Sequence, residues 1–162
     1  GRVTARLDEP YTGLPASAIH AASGTIDGVL TIENLTTFHS EAKRHFDHPT
    51  LLISTAGMPS PAWTAMYRRI LSSIEIGTPI HHWGDVDEGG FRIAATLAKA
   101  SALMGHSLKP HAMHPENVPL KLRRPASKRT AQRMKYFAEQ AGWSELGEAV
   151  LTAGFTVEQE AL

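Results

Sequence analysis

Short runs of branched apolar residues alternate along this chain with longer stretches whose apolar side chains recur every three or four positions. Val29-Leu30-Thr31-Ile32 follows the Asp27-Gly28 turn signal and leads through Glu33-Asn34 into a helical pattern over residues 35–46. The same unit returns twice. Leu51-Leu52-Ile53 reads as a strand, Gly57 opens a loop, and Ser60-Pro61 offers an N-cap and a first-turn proline for a helix through Leu71. Residues 79–83 then read as strand, 84–90 as a tight loop, and 91–104 as a helix that buries Phe91, Ala94, Leu97 and Ala98. Strand followed by helix three times over implies an α/β fold: a mainly parallel sheet with helices on both faces.

The remaining pattern is weaker. A fourth strand is expected over residues 108–113, at an edge or strand start because Pro110 donates no hydrogen bond. Ser127 is positioned to cap a helix to Ala141 with Met134, Phe137, Ala138 and Ala141 as its apolar stripe, and a last helix spans 145–153 before Gly154. At the other end Val3, Ala5 and Leu7 alternate with Arg2, Thr4, Arg6 and Asp8, a lead-in strand before Pro10 and Gly13. The division expected is residues 1–28 as lead-in strand and linker and 29–162 as the α/β domain. The start lacks an initiating methionine, so the chain is treated as a piece of a longer protein.

At 162 residues, 42% of them hydrophobic and 20% charged, the chain is the size of one domain and can bury a core. It has no cysteine, which excludes thiolate metal sites, disulfides and a cysteine nucleophile. No window approaches the roughly 18 apolar residues of a membrane span, and the cytoplasm is the expected setting. Net charge is zero, yet Lys109, Lys121, Arg123, Arg124, Lys128, Arg129, Arg133 and Lys135 lie in one stretch opposed by Glu116 alone. Such a stretch can track a nucleic-acid backbone, or simply be a solvated face.

In a parallel α/β sheet the loops after the strands' carboxyl ends share one edge, where ligands bind. Glu33 follows the first strand there, and Asp85 and Asp87 follow the third, so residues distant in sequence can meet. Positions i and i+2 of an extended segment point to the same side, which lets Asp85 and Asp87 face one cation or two. Crowded carboxylates need a counter-charge, and a hard divalent ion, Mg²⁺ or Mn²⁺, supplies it. Glu33 has the alternative of general acid or base chemistry. Without a metal, an Asp-x-Asp is a solvated loop and a Glu after a strand is a cap.

Ile32-Glu33-Asn34 together with His82-Trp83-Gly84-Asp85-Val86-Asp87-Glu88-Gly89-Gly90-Phe91-Arg92-Ile93 resembles the Toprim signature of a strand-end Glu and a downstream Asp-x-Asp. The second block is similar to the carboxy-terminal Toprim domain of the JetD family, nuclease subunits of Wadjet anti-plasmid systems, over roughly Val29 to the end. Gly57 before a helix and Glu158-Gln159-Glu160 fit that pattern too. The resemblance implies divalent-metal-dependent cleavage of double-stranded DNA by metal-activated water. It also implies a preceding winged-helix-like DNA-binding domain and SMC-type motor subunits as partners. Related Toprim proteins attack with a tyrosine from another domain, but Tyr11, Tyr67 and Tyr136 sit in no recognised motif.

Further residues carry two readings each. Glu158 and Glu160 share a face if extended and either complete the metal shell or form a charged chain end. Arg92, in a helix's first turn where the dipole disfavours a cation, invites a phosphate or a salt bridge to Glu33 or Asp87. Arg92, Lys121, Arg123, Arg124, Lys128 and Arg129 are the candidate DNA contacts. A zinc site from His81, His82, His111 and His114 is disfavoured because adjacent strand residues face opposite sides. The competing functions are a non-catalytic metal- and DNA-binding scaffold and a phosphohydrolase of small substrates. A homodimer is expected if both DNA strands are cut.

Overall fold

The computed structural model describes residue 4, residues 11–45 and residues 47–161. The lead-in strand expected at Val3, Ala5 and Leu7 lies outside the described residues.

Four parallel strands, β1 (Gly28–Ile32), β2 (Thr50–Ser54), β3 (Ile80–Trp83) and β4 (Leu108–Pro110), form one sheet in the order β2-β1-β3-β4. Each of the first three is followed by a helix: α1 (Leu35–Arg44), α2 (Pro61–Leu71) and α3 (Glu88–Ala102). Alternation along the strands divides the side chains between two faces. Val29, Ile53 and Ile80 enter the main core with Met66, Tyr67 and Ile70 of α2 and Phe91 and Leu97 of α3. Leu30 and Ile32 pack on the other side with Phe38 of α1, flanked by Leu52 and Trp83. The expected α/β sheet with helices on both faces is therefore present, consistent with a Toprim- or Rossmann-like fold. Each fully buried Leu, Ile or Phe contributes roughly 1.5–3 kcal/mol, so the three strand–helix units hold the sheet from both sides.

Short polar residues set the helix starts. Asn34 accepts from Thr37 N–H at 3.0 Å, and Ser60 from Trp63 N–H at 3.2 Å ahead of Pro61. Helix α3 starts at Glu88, three residues before the expected Phe91, because Asp87 is its N-cap and accepts from Gly90 N–H at 2.7 Å. Gly89 and Gly90 are therefore the first turn of a helix and not part of a flexible loop.

Strand β4 stops at Pro110 instead of reaching residue 113. The last sheet bond on that side runs from His111 N–H to His82 C=O, and Ala112 then takes a left-handed φ of 53°, which no ladder accommodates. Helices α4 (Lys128–Gln140) and α5 (Ser144–Ala153) follow, capped by Ser127 at one end and Gly154 at the other. An antiparallel pair absent from the sequence reading, β5 (Arg124–Pro125) with β6 (Phe155–Thr156), brings the last residues back towards the sheet. Val157 extends this by an antiparallel bridge to Val86. Before β1, residues 16–22 are tied to α2: Arg69 donates to Ala16 C=O at 2.8 Å and Ile19 C=O at 2.9 Å, and Ser73 accepts from Ala22 N–H. No helix among the described residues is long and apolar enough to cross a membrane.

Candidate functional site

The strand order creates the site. From β1 the chain adds β2 on one side and then crosses to add β3 on the other, so winding reverses between β1 and β3, and a crevice opens beyond their carboxyl ends. Glu33 is the first residue after β1, and Asp85 follows β3 with one glycine between. The sheet keeps them adjacent: Glu33 N–H donates to Trp83 C=O at 3.0 Å, and Asp85 N–H donates to Glu33 Oε2 at 3.1 Å.

Two glycines allow this approach. A Cβ on Gly84 would stand 2.8 Å from His82 Nε2 and 2.9 Å from Glu33 Oε2. A Cβ on Gly90 would overlap the Asp85 carbonyl oxygen, so α3 packs directly on the Asp85 backbone. Between them, the Val86–Val157 bridge fixes the Asp-x-Asp from its other side.

The final residues complete the wall. Gln159 N–H donates to Asp85 Oδ1 at 2.6 Å, its side-chain amide donates to Trp83 C=O at 3.1 Å, and its Oε1 accepts from Asn34 N–H at 2.8 Å. Glu158 lies within side-chain hydrogen-bonding reach of Asp85, so it joins the acidic group. Glu160 does not: its Oε1 accepts from Asn34 Nδ2 at 2.7 Å. Asp87 adds its charge but commits Oδ1 to the start of α3. Sequence reading missed Gln159, which looks like one polar residue in a charged tail; its signal lies in a contact across 125 positions to Asn34.

Electrostatics mark the group as short of positive charge. Burial, reinforced by Asp85, Asp87 and Glu158, pushes Glu33 up to about 7 against the pull of the Asp85 amide. Burial again leads at Asp85, with Glu158 and Asp87 adding repulsion, and raises it to about 6. A cation would relieve both shifts, and the donors are all hard oxygens. As they stand, no three His, Asp or Glu among the described residues are grouped closely enough to hold a metal ion. The donor chemistry itself is of the kind that suits a hard divalent ion. An open cavity of about 310 Å³ adjoins Glu33 and Asp85, lined also by Asn34, Leu35, Ala56 and Gly57. Ala56 and Gly57 both have positive φ, 50° and 90°, which turns the β2–α2 loop; for a non-glycine residue such a conformation costs roughly 1 kcal/mol.

The cationic candidates separate into three kinds. Lys121, Arg124, Lys128 and Arg129 are exposed. Arg92 is exposed as well, but it lines a different groove, between α3 and α4, with Thr96, Lys99 and Tyr136; it makes no salt bridge to Glu33 or Asp87. Arg123 is spent internally, donating to Pro115 C=O at 2.5 Å and Val118 C=O at 3.0 Å and lying 4.5 Å over the Phe155 ring.

The histidines form no metal-holding group among the described residues. His81 packs edge-on against His111 with ring centroids 6.3 Å apart, His82 lies on the opposite face of the sheet, and His114 approaches Glu116 at 3.8 Å. Among the tyrosines, Tyr67 is fully buried on Ser101 at 2.9 Å, burial pushing it up to about 12, while Tyr11 stacks on His39 and Tyr136 is exposed. No curated protein matches the chain. The family model for the C-terminal part of the Wadjet protein JetD matches residues 4–162. With that match along nearly its whole length, the chain belongs to the JetD C-terminal family of Wadjet proteins.

Proposed function

We propose that this chain is a Toprim domain that cleaves double-stranded DNA with the help of Mg²⁺ or Mn²⁺, in the cytoplasm, as part of a Wadjet-related defence role. The single observation that carries this reading is the pair Glu33 and Asp85, joined at the sheet's switch point with both carboxyls raised well above their ordinary range. Membership of the JetD family supports the setting, with SMC-type motor subunits as partners.

In this reading residues 29–162 form the catalytic domain, and Glu33, Asp85 and Glu158 hold the ion, with Asp87 lending charge. When bound, the ion polarises a phosphodiester and lowers the pKa of an attacking water. The protein's own residues prepare that arrangement. Gly84 and Gly90 admit close packing around Asp85, Gln159 fixes the direction of the Asp85 carboxylate, and Asp87 anchors α3. Exposed Lys121, Arg124, Lys128 and Arg129 supply DNA-backbone contacts. Tyr67 is too deeply buried to attack DNA, whereas Tyr11 and Tyr136 are exposed, so water as the nucleophile rests on the family resemblance.

Supercoiled-plasmid cleavage by the full-length protein with Mn²⁺, compared with Asp85→Ala and Glu33→Ala, tests this. Metal-dependent products lost in both variants are expected, and undiminished cleavage by Asp85→Ala would sink the reading. One observation favours the runner-up, a non-catalytic scaffold: Oδ1 of both Asp85 and Asp87 is already taken by a backbone N–H. The scaffold would bind DNA and Mn²⁺ yet leave plasmid intact even at full length.

A further inference from the structure

Thr31 and His82 face each other across β1 and β3. His82 Nδ1 lies 2.9 Å from Thr31 Oγ1, and the same hydroxyl lies 3.1 Å from the His81 carbonyl oxygen, to which it can donate. The ring is fully buried, and its other nitrogen, Nε2, has no partner. Leaving a buried polar atom unpaired costs roughly 1–3 kcal/mol, so a fold that holds one asks for an account of what it serves.

The direction of Nε2 supplies that account. The space a Gly84 side chain would fill has His82 Nε2 at 2.8 Å on one side and Glu33 Oε2 at 2.9 Å on the other, and the next atom is Gly90 Cα at 3.5 Å. The gap thus has two polar walls, one a ring nitrogen and the other a carboxylate oxygen. The missing Cβ of Gly84 keeps them open to each other.

We propose that His82 is a positioning residue for Glu33: Nε2 holds Oε2 across the Gly84 gap, after a small swing of the carboxylate or through one water, while Thr31 fixes the ring. Thr31 makes this possible with either carboxyl form. If its hydroxyl donates to Nδ1, the ring proton sits on Nε2 and is offered to a carboxylate; if it donates to the His81 carbonyl, Nδ1 carries the proton and Nε2 accepts from a carboxylic acid. With Oε2 held by the Asp85 amide and by Nε2, Oε1 is left for a cation. The part of this concerning a cation rests on the metal-site reading above; the tether itself does not.

Two readouts on the full-length protein test it. The first is the ¹⁵N resonance of His82 Nε2 in wild type and Glu33→Gln, with no metal added. A tether predicts a displaced Nε2 signal in the variant, and an unmoved signal overturns the proposal. The second is Mn²⁺ affinity by calorimetry for His82→Gln and His82→Asn, with thermal unfolding as a check on folding. Glutamine carries its amide near the Nε2 position and asparagine near Nδ1. The tether therefore predicts that the Gln variant binds within about threefold of wild type and the Asn variant loses about 10–100-fold, the usual cost of removing a ligand's supporting partner. A histidine that merely braces Thr31 predicts the reverse order, and that result also overturns the proposal. If wild type binds no Mn²⁺, the metal reading fails, and the Nε2 signal alone decides the tether.

Discussion

Gln159 N–H donates to Asp85 Oδ1 at 2.6 Å, joining residues 74 positions apart. The side chain of Gln159, 1% exposed, adds bonds to Asn34 N–H and Trp83 C=O, so one residue braces the ends of both site-forming strands. Gln159→Ala strands the Asn34 amide and should cost about 1–3 kcal/mol by urea unfolding, with cleavage reduced. Glu160→Ala removes one exposed bond and should stay within about 0.5 kcal/mol. Equal effects of the two variants would contradict this division.

Gly90 and Gly89 form a matched pair for a second test. A methyl on Gly90 collides with the Asp85 backbone, whereas one on Gly89 meets the Asp87 carboxylate at 3.2 Å. Gly90→Ala should destabilise by about 1–3 kcal/mol through overpacking and abolish cleavage. Gly89→Ala should retain most of its stability. Circular dichroism melting of both variants checks the order.

Protonation gives a third. In the folded chain Glu33 titrates at about 7 and Asp85 at about 6, above their ordinary 4.5 and 3.8, with burial as the first cause. The folded state therefore holds these protons more tightly, and their stabilisation is present below the unfolded pKa and lost as pH rises through the folded one. Without metal, Glu33→Gln should match wild type near about pH 4 and be the more stable near about pH 8. Denaturation midpoints in chelator measure this, and a wild type that gains on the Gln variant as pH rises would refute it. Added Mg²⁺ should stabilise wild type increasingly with pH, since binding displaces protons.

Arg123 and its neighbours separate packing from DNA binding. Arg124→Glu, Lys128→Glu and Arg129→Glu should each weaken DNA binding and lower the salt slope by about 0.9 for every phosphate that the variant leaves unneutralised. Arg123→Ala should instead unfold the protein more readily, by about 1.5–3 kcal/mol, because its charged hydrogen bonds hold residues 115–118. Fluorescence anisotropy at several salt concentrations, beside melting curves, distinguishes the two.

Local signals made much of this legible. The β-branched run at Val29–Ile32, the Ser60-Pro61 cap and the stripe at Phe91, Ala94 and Leu97 announce their elements within a few residues. Asp87 carries a readable cap signal as well, but the same residue completes an Asp-x-Asp, and the pattern reads as a loop up to residue 90 where the helix in fact starts at Glu88. Contacts across many residues were hidden. Arg123 reads as a free cation until Phe155 and the Pro115 carbonyl are placed against it, and Gln159 reads as tail until β6 carries it to Asp85. Strand alternation puts His82 on the opposite face from His81, yet no pattern shows that one of its nitrogens lacks a partner.

All four strands of the parallel sheet are present in the chain by Pro110, but Asp85 is held by Val157 and Gln159 from much later in the sequence. As the polypeptide leaves the ribosome, all four strands are therefore out dozens of residues before the segment that locks the acidic edge. The acidic edge is thus secured only once residues 155–159 have been made and folded back onto it.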